Sequence, residues 1–193
     1  MQILGSGPKN NSIQKVVDQY LSLFKEETAD LQILSEQLTS NVPIVGRENT
    51  KGHVTASGII LHEGKILLIF HNKLQKYIQP GGHVEKDDAS LWEAAEREVG
   101  EETGMKLTLH SWHNKHNFIP IDIDSHLIPE NSKKEEPEHF HHDFAFIFQL
   151  TNDKNVILQV EEVSDFKWVG INQDFGQKHL DKISKKVSAL HIS

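Results

Sequence analysis

Three glutamates, Glu98, Glu101 and Glu102, stand three and four residues apart in the stretch 81–105, GGHVEKDDASLWEAAEREVGEETGM. On a helix that spacing puts all three carboxylates on one face. Like charges so placed destabilise an isolated helix, so the pattern calls for a positive partner among them. A hard divalent cation, Mg²⁺ or Mn²⁺, suits an all-oxygen set. Arg97, four residues after Glu93 and four before Glu101, can clamp the carboxylates from the side and hold their rotamers. Gly81 and Gly82 let the backbone approach a ligand closely, and their carbonyls are further oxygen donors. An acidic helix face is more often just solvated. What sets this one apart is its company: Pro80, Gly81 and Gly82 upstream, Arg97 directly before Glu98, and Gly104 where the helix should stop.

A second group, His139, His141 and Asp143, occurs in the run HFHHD. In an extended chain these three share a face and His142 points the other way. The pattern suits a metal or a phosphate, and equally a polar strand edge at the mouth of a cleft; zinc is not the expectation. His83 follows the glycines and can reach a phosphate, and His53 precedes the first strand; both serve equally well as packed or surface histidines. The absence of G-x-S-x-G and of GxxxxGK[ST] speaks against a serine hydrolase and a P-loop NTPase. With no cysteine in the chain, a disulfide framework, a thiolate metal site and a cysteine nucleophile are excluded.

The elements that must carry these groups follow from periodicity. Ile13, Val16, Val17, Tyr20, Leu21 and Phe24 recur at helical steps, with Asn11 or Ser12 as cap, and Leu31, Leu34 and Leu38 suggest a second helix ending near Thr39. The pair reads as a cap on the main domain, or as an arm for a homodimer. Residues 54–61 and 65–70 around Glu63 and Gly64 read as a hairpin, and 77–79 as a short strand stopped by Pro80, Gly81 and Gly82. Ser90 and Glu93 form a capping box for a helix over 90–103, with Gly104 as its stop. Residues 107–118 read as extended, 119–138 as a long polar connection, and 143–150, 156–160 and 166–169 as strands. A last helix spans 175–190, with Leu180, Ile183, Val187 and Leu190 on one stripe.

The stretch 81–105 resembles the signature of the Nudix hydrolases, G-x5-E-x7-R-E-U-x-E-E-x-G-U, where U is a bulky aliphatic residue. Residues 97–105, REVGEETGM, fit its second half in full. The first half departs: counting from Gly82, the first acidic position holds Asp88, and eight residues rather than seven precede Arg97. The bracing of the arginine then falls to Asp87 or Asp88. The resemblance implies an α+β fold, an α/β/α sandwich with a mixed β-sheet between helices, over residues 46–193, preceded by an N-terminal helical extension over 1–45. It implies hydrolysis of the diphosphate linkage of a nucleoside diphosphate derivative. Glu98, Glu101 and Glu102, with the Gly81 carbonyl, would bind Mg²⁺ or Mn²⁺. Arg97, Glu98 and Glu101 would form the catalytic set, with Glu98 as base and Glu161 or Glu162 in the late loop as alternatives. Pro120, fifteen residues beyond Met105, resembles the placement in ADP-ribose-type members and ranks ADP-ribose-like sugars ahead of nucleoside triphosphates. The alternative is a nucleotide-sensing or partner-binding module without turnover. A prenyl diphosphate isomerase of the same fold would want the cysteine this chain lacks.

Composition bounds the partners. The 193 residues carry a formal net charge of −8, with 28 acidic against 20 basic side chains, so duplex nucleic acid is not an expected partner. A bound divalent cation would still let an acidic protein take an anionic nucleotide. No stretch is long and apolar enough to span a bilayer, and the first twelve residues, MQILGSGPKNNS, do not read as a secretory leader. The cytoplasm is the expected compartment.

Overall fold

The computed structural model describes residues 7–40, 42–132, 135–151, 156–159 and 161–192. Helices α1 (Asn10–Leu23) and α2 (Gln32–Thr39) lead into strands β1 (Gly52–His62), β2 (Lys65–His71), β3 (Lys76–Ile78) and β4 (Gly81–His83). Helix α3 (Leu91–Thr103), β5 (Leu107–Leu109), α4 (Ser111–Lys115), β6 (Asp122–Ile128), β7 (His139–Leu150), β8 (Val163–Gly170) and α5 (Lys178–Ala189) follow.

Strand β1 is the spine. It runs parallel to β7, from Gly52↔Phe140 to Leu61↔Gln149, and antiparallel to β2 and β4. Strands β5 and β6 pair with β7, and β3 and β8 with β2, all antiparallel. The result is a mixed sheet between helices, the α/β/α sandwich expected from the sequence. On one face, Val54, Ala56 and Ile60 of β1 pack with Leu91, Ala94, Ala95 and Val99 of α3. On the other, Ile59 and Leu61 pack with Leu180, Ile183 and Val187 of α5. A Cβ on Gly58 would stand 2.3 Å from Cγ2 of Val99, so glycine is what lets α3 come so close to the sheet.

The α5-facing side of the sheet changes character along its length. Ile59 and Leu61 of β1 lie beside Ile147 and Gln149 of β7. Toward the start of both strands, the same face carries His53 beside His141 and Thr55 beside Asp143. One end is core; the other is a polar floor.

The two N-terminal helices bury Ile13, Val17, Tyr20, Leu34 and Leu38 in the same cluster as the sheet and α3. They are further tied in by a buried ionic group. Lys186 of α5 reaches Glu27 at 2.5 Å and Asp122 of β6 at 2.6 Å. Lys182 reaches the same two carboxylates at 3.2 and 2.9 Å. The Tyr20 hydroxyl donates to Glu27 at 2.5 Å. Burial raises the Asp122 carboxyl to about 6, against the pull of Lys182 and Lys186. Burial also works to raise Glu27, but hydrogen bonds from Lys186 and Tyr20 prevail and hold it below its usual value.

Several expectations need correction. Lys9, not Asn11 or Ser12, occupies the first cap, and the Ser12 hydroxyl accepts from the Lys9 amide at 3.0 Å. Residues 107–118 are extended only as far as Leu109; α4 then begins, capped by His110, whose Nδ1 accepts from the Trp112 amide at 3.1 Å. Its Trp112 and His113 are buried, so a short helix forms where contacts with the sheet outweigh weak local propensity. The long connection contains β6, which pairs with β7 from Asp122↔Ala145 to Ile128↔His139. Its polar residues hid a strand, because one of its faces lines a polar floor. Pro80 does stop β3, but Gly81 and Gly82 re-enter the sheet as β4. Residues 156–159 form no strand, and Val160 lies outside the described residues, as do Lys133 and Lys134 of the charged run.

His113 makes the fold sensitive to acid. Its Nδ1 donates to the Ile119 carbonyl at 2.7 Å, and its Nε2 accepts from the Ile147 amide at 2.8 Å. A proton on Nε2 would set N–H against N–H, and burial holds the ring down at about 4. The folded-state value lies below the unfolded one, so this contribution is present above about pH 6.5 and is lost as pH falls toward 4. Between pH 7 and pH 5 unfolding free energy should drop by about 2 kcal/mol from this group. Urea titrations at the two pH values test this: the difference should shrink in His113→Gln, and an equal difference in both proteins refutes the assignment.

Candidate active site

Helix α3 starts and stops as its sequence directs. Ser90 caps it, its hydroxyl accepting from the Glu93 amide at 3.3 Å and donating to the Glu93 carboxylate at 3.1 Å. Gly104 closes it in the left-handed conformation, φ 67°. Between these ends Arg97 gathers acids. Its Nε and Nη2 donate to the two oxygens of Asp88, each at 2.9 Å. Its Nη1 donates to Glu98 at 2.9 Å and reaches Glu101 at 3.4 Å, and Nη2 also donates to the His83 carbonyl at 3.0 Å. Of the two aspartates in the lengthened loop, Asp88 is the one that meets the arginine. The shorter side chain reaches because the loop folds back on itself, with the Glu85 amide donating to Asp88 at 2.7 Å.

The glutamates differ in surroundings. Glu101 is exposed, Glu98 half-buried and Glu102 buried. Burial pushes the Glu102 carboxyl up to about 8, with Glu98, Glu162 and Glu101 adding repulsion, while the Gly81 amide, donating at 2.8 Å, pulls the other way. Burial also raises Glu98, against the lowering effect of Arg97. A Cβ on Gly82 would lie 2.5 Å from Oε2 of Glu98, so a side chain there would push this carboxylate out of its present position. Glu98 and Glu101 lean toward Arg97 and Glu102 toward Gly81. The ligand atoms of the three are not drawn into a set all within 4.8 Å of one another. It is the Gly81 amide, rather than its carbonyl, that meets Glu102.

Glu162 is one of the charges felt by Glu102, which places the late loop near the helix. Its carboxylate is held by Lys73 at 2.9 Å, which keeps it below the usual range. Glu161 is exposed.

Asp143, His141 and His139 share the polar floor, while His142 turns to the other face and meets Ser125 at 2.8 Å. Asp143 is half-buried and accepts from Thr55 at 2.9 Å and Ser57 at 2.5 Å. His83 and His53 join the same floor, Nε2 to Nε2 at 3.0 Å. His126 of β6 adds a ring 5.8 Å from that of His141. Burial, then the neighbouring His53, His83, His126 and His139, holds His141 down at about 2. Sequence reasoning set His53 aside and missed His126; the signal for His126 was the alternation Ile123, Ser125, Leu127 against Asp122, Asp124, His126.

The class defined here is a mixed-sheet sandwich enzyme whose acidic helix is pinned by one arginine beside a Gly-Gly strand. The NUDIX domain model matches residues 51–190. A protein of Lactococcus lactis subsp. cremoris named "Probable DHNTP pyrophosphohydrolase" is 30% identical over 120 residues, covering 62% of this chain and 68% of that protein. "Phosphatase NudJ" of Escherichia coli K12 is 38% identical over 74 residues, 37% of this chain; the chain spans about half of that protein, 48%. Among solved structures, a NUDIX-family hydrolase from Clostridium perfringens superposes with a TM-score of 0.52 at 23% identity, covering 72% of this chain and 97% of that one. The chain belongs to the NUDIX family and is a Nudix hydrolase.

The donor set fits a hard cation. It is all oxygen, and Glu98 and Glu101 stand near enough to the buried Glu102 to add repulsion to the effect of its burial.

Proposed function

We propose that this enzyme hydrolyses the diphosphate linkage of a nucleoside diphosphate derivative with the help of Mg²⁺ or Mn²⁺. The observation that carries the reading is the arginine-pinned acidic face: Arg97 holds Asp88 and Glu98, while the buried Glu102 stands beside Gly81. Glu98, Glu101 and Glu102 would hold the cation. Bound there, it would neutralise phosphate oxygens and acidify a water. The residues of the chain do the rest. Arg97 fixes the rotamer of Glu98. Gly82 leaves space at that carboxylate. Glu98, raised by burial, would accept a proton from the attacking water. Glu162, already engaged by Lys73 and depressed, is the weaker alternative base, and Glu161 ranks with it.

The substrate has two candidates, an ADP-ribose-like sugar nucleotide and a nucleoside triphosphate. Pro120, the residue behind the first, is buried rather than open to a ligand. The name of the L. lactis relative favours a triphosphate-type substrate. A homodimer through α1 and α2 finds little support, because their apolar stripe is used in the chain's own core. The lack of cysteine and of any described helix apolar enough to cross a membrane suits the cytoplasm. The test is a panel of nucleotide derivatives with products read by mass spectrometry in ¹⁸O-water. Cleavage between two phosphorus atoms, dependent on Mg²⁺ or Mn²⁺, is expected; turnover unchanged after chelation would refute the metal requirement.

A further inference from the structure

The polar floor holds a group that the acidic helix does not need. His53, His83 and His141, from three different strands, bring one ligand nitrogen each into a set whose members all lie within 4.8 Å of one another. Among the described residues it is the group of three that meets this spacing. Metal–nitrogen bonds of about 2.0–2.1 Å in a tetrahedral site put ligand nitrogens roughly 3.3 Å apart. His53 and His83 already stand at 3.0 Å, Nε2 to Nε2. We propose that His53, His83 and His141 form a binding site for a borderline-soft divalent ion of the zinc class, separate from the carboxylates of α3.

Three features support the assignment. First, the rings are oriented from behind. His53 Nδ1 faces the Asn49 carbonyl at 3.4 Å, which directs its Nε2 lone pair into the cluster. Metal-binding imidazoles regularly give their second N–H to such a carbonyl. His139, whose ring stacks on His53 at 4.9 Å, is turned in the same way by the Pro137 carbonyl at 2.7 Å, and its Nε2 meets that of His141 at 3.2 Å. Second, the donor set is imidazole, which selects zinc, cobalt or nickel over the Mg²⁺ favoured by carboxylates. Third, alternation along β4 separates the two sites. Gly82 faces Glu98 of α3, so His83 next to it projects its ring to the opposite side of the sheet. Its carbonyl meanwhile accepts from Arg97 at 3.0 Å. An ion on His83 would therefore steady the short strand that backs both Glu98 and Arg97. Expectation from sequence placed no zinc here, because His53, His83 and His141 are far apart in the chain.

The test uses the full chain, stripped with a chelator and kept in a large excess of Mg²⁺ to saturate the carboxylates. Zn²⁺ is then titrated against a chromophoric competitor, and Co²⁺ is followed by its visible absorption. One equivalent that Mg²⁺ does not displace is expected, with the strong absorption of a four-coordinate cobalt site. His141→Ala and His53→Gln should each weaken it by about 100-fold or more. Glu101→Gln should leave it unchanged, whatever that variant does to hydrolysis, so this site and the proposed reaction can fail independently. Circular dichroism checks the variants for folding. If they do not fold, ¹⁵N spectra of the imidazoles in the unmodified chain decide: Zn²⁺ should shift His53, His83 and His141. Absence of an equivalent in the unmodified chain, equal affinity in folded histidine variants, or imidazole signals unmoved by Zn²⁺ would each overturn the site.

Discussion

Glu98→Gln should lower kcat by about 10²–10⁴-fold, the usual contribution of a placed general base, while the protein melts where it did before. Glutamine keeps the volume of the side chain, and its carbonyl can still accept from Nη1 of Arg97, which now donates to Glu98 at 2.9 Å. What disappears is the charge and the ability to take a proton. Glu102→Gln should behave similarly in turnover but differently in stability. Its oxygen can still accept from the Gly81 amide, and a carboxyl that burial already pushes up to about 8 is relieved of its ionised form. The melting temperature should therefore hold or rise. Initial rates on the substrate found in the nucleotide panel, alongside thermal melts, separate the two effects. Normal turnover in both variants would remove the acidic face from the mechanism.

The second large effect is on stability. Lys186→Ala should lower the unfolding free energy by about 3–5 kcal/mol, the range for a buried ion pair that loses one partner. Glu27 and Asp122 are 5% and 1% exposed, and Lys186 meets them at 2.5 and 2.6 Å. Its ammonium also lies over Phe24, 4.1 Å from the ring centroid. Lys182 remains near both carboxylates but is the more solvated of the two lysines, so it cannot replace what is removed. A drop in melting temperature of roughly 10 °C is expected for a chain of this size. A quadruple variant, Lys186→Met and Lys182→Met with Glu27→Gln and Asp122→Asn, removes the four charges together and should recover much of the loss. If Lys186→Ala melts within a degree or two of the parent, the helices α1 and α2 are not held in the way described.

Helix α3 was legible because its signals are local. Ser90, Glu93 and Gly104 act within a turn of the residues they cap, and the spacing of Arg97, Glu98, Glu101 and Glu102 is a helical spacing whatever the rest of the chain does. The hairpin partners β1 and β2 and the last helix were legible for the same reason. Strand β6 was not, because its seven residues, DIDSHLI, hold only three apolar ones inside a long polar, proline-bearing stretch, so the alternation is faint. Helix α4 was not, because five residues have too little propensity to announce themselves, and burial of Trp112 and His113 supplies what propensity lacks. Asp88 was found as one of two candidates, and only contact with Arg97 chose between them.

By itself, then, the order of residues determined the acidic face and the match to the Nudix signature, whose resemblance implied the sandwich, since face and signature depend on spacing along one segment. Tertiary structure alone decided which neighbours each group has. It turned Gly82 toward Glu98 and His83 away from it, set the Tyr20–Glu27–Asp122 cluster around two lysines of α5, and gathered His53, His83 and His141 from three strands. The reason is pairing. Register across a sheet joins residues that may be any distance apart in the chain, and the pleat assigns each to a face.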